Sequence, residues 1–159
     1  MLLIVWHSRT GASEAMARAA AEGGSSAGKA RLLRAEEAEA EELLAADGFL
    51  FACPENLGSM SGEMKAFFDR CYYPVLGRIE GRPYATITAA GSDGQGALAQ
   101  IDRIVTGWRL RRVAEPIVAN LAAQTPQEIL ARKTVPPAIL GNCRDLGQAL
   151  VEGMALGVF

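Results

Sequence analysis

The chain has 159 residues, the size of one ordinary domain, and leaves no room for two independent hydrophobic cores. Half of it is hydrophobic and 21% is charged, which supplies a core and excludes a disordered chain. A net charge of -2 removes the electrostatic case for nucleic acid, which draws on clustered Lys and Arg, and the run Arg109, Arg111, Arg112 is too short to restore it.

Leu2 to Trp6 is continuously apolar, as a strand buried on both faces reads, and it runs into the polar loop His7-Ser8-Arg9-Thr10-Gly11. Ser13 to Glu22 reads as an Ala-rich helix stopped by Gly23-Gly24. A strand over Ala30 to Arg34 and an acidic helix over Glu36 to Ala46 follow. Asp47-Gly48 then punctuates, and Phe49 to Cys53 is a third strand. After a loop from Pro54 to Ser61, the residues Met60, Met64, Phe67, Phe68 and Cys71 fall on one helical stripe. Pro83 to Ala90 is a fourth strand and Gly91 to Gly96 a glycine-rich loop. Leu98, Ile101, Ile104, Val105 and Trp108 make the next helical stripe. Arg112 to Val118 reads as a fifth strand, put at an edge by Pro116, which cannot donate to a ladder. The last helix, Ala138 to Leu156, is interrupted by glycines, and Gly23 to Gly28 and Ala119 to Pro137 read as the mobile connections. Strand and helix alternate throughout, which predicts one α/β domain over residues 1–159: a doubly wound, three-layer α/β/α fold on a five-stranded parallel sheet.

The three cysteines, Cys53, Cys71 and Cys143, have no metal-ligand spacing, lie in apolar stretches and read as reduced thiols. No apolar run is long enough to span a bilayer, and the first ten residues lack the charged start of a secretory signal, so the expected compartment is the cytoplasm.

In open parallel sheets ligands bind beyond the carboxyl ends of the strands, which singles out the loops after strands one, three and four. The first, Ser8-Arg9-Thr10-Gly11-Ala12-Ser13, combines hydroxyls, a glycine and an immediate helix start, a set that holds a phosphate without a lysine. Gly23 to Ala30 nearly spells a P-loop, but Ala30 stands where the metal-binding hydroxyl belongs and the stretch leads into a strand. A G-x-G-x-x-G fingerprint after the first strand is absent. His7, Glu55 and Asp93 lie near the predicted cleft, yet none has an identifiable partner for acid–base work, and each reads as a structural or capping residue.

Residues 8–13 resemble the S/T-x-T-G-x-S/T phosphate loop of flavodoxins, which also follows a first strand. Pro54 to Lys65, followed by Phe68-Asp69, is similar to the P-x-x-x-G-x-M-A/S-G-x-M-K/R segment of flavodoxin-like NAD(P)H oxidoreductases, including multimeric quinone reductases. The resemblance implies a flavodoxin-like sheet in the order 2-1-3-4-5, holding FMN. Its phosphate would sit on Ser8, Arg9, Thr10, Gly11, Ala12 and Ser13, and its ring edge on Pro54, Glu55, Asn56, Leu57, Gly58 and Ser59. The other side would lie near Ala90, Gly91, Ser92, Asp93 and Gly96. In the family a peptide near Gly58 lies by the flavin N5. Leu57, Ser92 and Asp93 depart from the aromatics that flavodoxins stack on the ring, and the near-neutral charge departs from their acidity. The resemblance leaves two activities open: an oxidoreductase passing electrons from NADH or NADPH through FMN to a quinone or other small acceptor, or a carrier serving redox partner proteins. A flavin-free phosphate-binding domain is the third reading, and a homodimer is the assembly family precedent implies.

Overall fold

The computed structural model describes residues 1–159. Strand β1 (Leu2–Trp6) is fully buried and pairs in parallel with β2 (Ala30–Arg34) on one side and β3 (Gly48–Asn56) on the other. A two-residue strand, β4 (Ser59–Met60), folds back antiparallel on the end of β3. β3 also pairs in parallel with β5 (Pro83–Ala90), and β5 carries two short strands, β6 (Arg111–Arg112) and β7 (Ile117–Asn120). The order is therefore β2-β1-β3-β5, with β6 and β7 sharing the fifth position, as the order 2-1-3-4-5 requires.

Alternation along these strands feeds two cores. Leu3, Val5, Phe49, Phe51 and Tyr84 face one layer, made of α2 (Ala40–Ala45), α3 (Gly62–Val75) and α4 (Gln95–Gly107). Leu2, Ile4, Trp6, Leu50, Ala85 and Ile87 face the other, made of α1 (Ala12–Ala27) and α6 (Pro137–Leu156). Each fully buried Leu, Ile, Val or Phe contributes about 1.5–3 kcal/mol over its exposed state, so a sheet covered on both faces is the stable arrangement for runs such as LLIVW.

Several expectations are corrected. Gly23-Gly24 does not stop α1, which runs on to Ala27, because both glycines lie against α6 and its backbone rather than in a turn. The mobile connection expected over Gly23 to Gly28 is thus mostly helix. The acidic helix is confined to Ala40–Ala45; Ala35 to Glu37 form a turn. Pro54 to Ser61 is a hairpin, so Met60 joins the α3-side core from β4 and not from the helix. The fifth strand is broken between Arg112 and Ile117, where Pro116 offers no N–H to the ladder. Within Ala119 to Pro137 lies a short helix, α5 (Pro126–Leu130), closed by a capping box between Thr125 and Glu128.

Candidate functional site

The carboxyl ends of β1, β3 and β5 open into a cleft of about 660 Å³, a volume in the range of small-molecule sites. Its floor is the turn into α1. Gly11 is the helix N-cap, and its N–H donates to Ser8 Oγ at 3.0 Å, while the first-turn N–H groups of α1 have no helical acceptors. Ser13 Oγ is fully buried, lines the cleft and has no hydrogen-bond partner in the protein. An unsatisfied buried hydroxyl costs about 1–3 kcal/mol, and one placed among free N–H groups at the positive end of a helix dipole suits an anion with several acceptor oxygens. These residues fit a phosphate.

One wall is the β3–β4 hairpin. Its turn residues Leu57 and Gly58 both have positive φ, 54° and 70°, the two-residue turn that matches the twist of a hairpin. The Glu55 carboxylate accepts from the N–H of Gly94 at 2.9 Å and of Ala97 at 3.0 Å, so each of its oxygens is engaged in capping α4. Gln100 of α4 accepts from Ser59 Oγ at 2.7 Å and from the Met60 N–H at 2.9 Å. The hairpin is thus fastened to α4 at both of its strands, and Leu57 stands fully exposed at its tip.

Of the residues singled out in the sequence, the structure brings Ser8, Arg9, Thr10, Ala12, Ser13, Pro54, Glu55, Asn56, Leu57, Gly58, Ala90, Gly91 and Ser92 together around the cleft. Gly11, Ser59, Asp93 and Gly96 lie outside the lining: Gly11 and Ser59 shape the turns just described, Asp93 is exposed, and Gly96 sits in α4 against the Gly58 carbonyl, where a Cβ would come within 2.0 Å. Arg9 donates to Glu63 at 3.0 and 3.2 Å. His7 is buried, with Nδ1 and Ser61 Oγ in a hydrogen bond at 2.9 Å and Nε2 3.5 Å from Glu63, and burial pulls its pKa below the ordinary 6.5. Ser61 is fully buried too, so this Ser, His and Glu join the phosphate loop to α3 and offer no accessible nucleophile. The rest of the lining consists of residues that sequence reasoning missed: Ala89, Leu121, Ala123, Ile129, Leu130 and Lys133. The Thr125-Pro126-Gln127-Glu128 capping box was the signal available for that segment.

Comparison with known proteins agrees with this fold. A family model described as NADPH-dependent FMN reductase matches residues 29–123. A flavodoxin of Aquifex aeolicus is 35% identical over 99% of this chain and 88% of its own. A probable NAD(P)H dehydrogenase (quinone) of Arabidopsis thaliana is 40% identical over 65 residues, 40% of this chain and 24% of its own. Among solved structures, a flavodoxin from the domain Archaea superposes with a TM-score of 0.78 at 18% identity, covering 97% of this chain and 98% of that one. A WrbA-like flavodoxin of Agrobacterium tumefaciens gives 0.72 at 20% identity over 98% and 97%.

Proposed function

Because the chain belongs to the flavodoxin-like family, matching the NADPH-dependent FMN reductase model over more than half its length, we propose that it is an FMN-binding electron-transfer flavoprotein serving a redox partner protein. The observation that carries this reading is the buried, unpartnered Ser13 hydroxyl at the start of α1, under a cleft of the right size. FMN supplies reversible electron transfer when bound in such a site. The chain's part is to hold it. Ser8, Thr10 and Ser13, the Ala12 N–H and the cap at Gly11 take the phosphate, while Pro54, Glu55, Asn56, Leu57, Gly58 and Ser59 bring backbone to the ring edge. Ala90, Gly91, Ser92, Asp93 and Gly96 border or support the remaining side. Because residues 8–13 resemble a loop that closes on a terminal phosphate, FMN and not FAD is the expected cofactor. The full-length similarity to a flavodoxin supports the carrier. The compartment we assign is the cytoplasm, where three free thiols stay reduced.

A second reading, an NAD(P)H-dependent oxidoreductase passing electrons through FMN to a quinone, is favoured by the description of the family model and by the 65-residue match. Mixing FMN-loaded protein anaerobically with NADPH or NADH separates the two: bleaching only after a separate reductase is added supports the carrier, and direct bleaching supports the enzyme. Phosphate binding is tested by Ser13→Ala. Losing a hydrogen bond to a charged group is worth about 1.5–3 kcal/mol, so FMN should bind roughly 10- to 100-fold more weakly. Riboflavin affinity should stay the same and the apoprotein should be no less stable, since the hydroxyl removed had no partner there. Wild-type FMN affinity in this variant overturns the placement.

A further inference from the structure

The cleft has a second wall that the hairpin does not supply. After β7 the chain crosses the carboxyl edge of the sheet as a strap, residues 121–133, containing α5. It is fastened at one end by the Leu121 N–H to the Ala90 carbonyl at 2.8 Å and by Gln124 Nε2 to the Gly91 carbonyl at 3.1 Å. At the other end the Lys133 N–H donates to the Thr10 carbonyl at 2.8 Å, and Lys133 Nζ donates to the carbonyls of Glu128, Ile129 and Ala131. Tied at both ends, it presents Ile129 and Leu130 to the cleft. They are 52% and 79% exposed, and with Leu57 they are three of the eight large hydrophobic side chains left exposed in the whole chain. Three such side chains around one cleft await an apolar ligand surface.

Leu57 and the strap belong to opposite layers. The hairpin is fastened to α4, on the α3/α4 face of the sheet, whereas the strap leads directly into α6, which packs with α1 on the other face. We propose that Ile129 and Leu130 form an aliphatic wall for the flavin ring, opposite Leu57, so that the strap grips the ring while the α1 turn grips the phosphate. This rests on the FMN reading above. It also accounts for Ser92 and Asp93 standing at the third loop without an aromatic: the apolar surface comes from the strap instead. No side chain lining the cleft is aromatic, so bound FMN has no indole or phenol against it to quench its emission by electron transfer.

The test titrates FMN and riboflavin into the wild type, the double variant Ile129→Ala/Leu130→Ala, and two tryptophan variants. Leu130→Trp puts a quencher on the wall, and Leu156→Trp puts one at the far end of α6 on an equally exposed site. The double variant should bind both flavins about tenfold or more weakly, by the same factor, because these side chains meet the ring that the two flavins share. The wild-type complex should be emissive, the Leu130→Trp complex much dimmer, and Leu156→Trp as bright as wild type. Both flavins bound normally by the double variant, a dark wild type, or equal brightness in the two tryptophan variants overturns the wall alone. A wild type that binds neither flavin overturns the proposed function with it.

Discussion

Leu57 occupies a conformation that an L-residue adopts only at a cost. Its φ of 54° lies in the left-handed region, about 1–2 kcal/mol uphill for a residue with a Cβ, and its fully exposed side chain recovers none of that by packing. The turn it shares with Gly58 favours Asn at the first central position, since a short polar side chain tolerates positive φ there. Leu57→Asn is therefore expected to raise the unfolding free energy of the apoprotein by about 0.5–1 kcal/mol while weakening FMN binding, with denaturant titration and flavin titration reading the two effects. A variant that lost stability would mean the leucine packs in a way the exposed hairpin tip does not show. Ser13 obeys the same logic: an unpartnered buried hydroxyl and a strained exposed leucine are both unfavourable for folding and useful for a ligand. Glu55 is the opposite case, a carboxylate in the cleft whose bonds to Gly94 and Ala97 make it a support.

At the scale of elements, the tightest packing against α1, the helix that opens at the cleft floor, is its crossing with α6. A Cβ on Gly147 would fall 1.9 Å from the Ala20 carbonyl oxygen, and one on Gly23 would fall 1.9 Å from that of Arg144, so the two helices meet backbone to backbone. Overpacking such a crossing displaces one helix. Gly147→Ala is expected to destabilise the protein by about 2–3 kcal/mol in chemical denaturation. Gly141, in the same helix, has nothing within 4 Å of the added methyl, and Gly141→Ala should stabilise by about 0.5–1 kcal/mol because an alanine loses less backbone entropy. Opposite signs for two identical substitutions in one helix check the crossing directly, and equal effects would place the crossing elsewhere. Read from sequence, Gly23-Gly24 is a stop signal, and only the neighbouring helix turns it into a packing surface.

Over the whole molecule, acid should act in two steps. Burial holds the His7 pKa below its ordinary 6.5 against the attraction of Glu63. The native state then binds fewer protons than the unfolded chain in this range, so the contribution is complete above 6.5 and lost as pH falls below it towards the lowered native value. Glu128 is held below the ordinary 4.5 by the N–H groups of Thr125 and Gln124, so its contribution is present above 4.5 and lost only at lower pH. Stability of the wild type should therefore begin to fall below about pH 6.5, and His7→Asn should flatten that first step without removing the second. An unchanged slope in the variant would assign the step to another group. Legible in the residues alone were the apolar runs of β1, β3 and β5, the stripe of α3 from Met64 onward, the stripe of α4, and the two motifs at residues 8–13 and 54–65. Local chemistry dictates those, because pattern and turn type are properties of neighbouring residues. The order of the sheet and the family followed from the same motifs. Tertiary packing, and not local pattern, splits the fifth strand into β6 and β7 around Pro116, makes Gly23 and Gly147 a helix crossing, and directs the Glu55 cap to α4. It also decided that a strap from residues 121–133 reaches back to Thr10 to complete the cleft. Each of these depends on a partner distant in the chain, and neither propensity nor period at one position carries information about what will be packed against it.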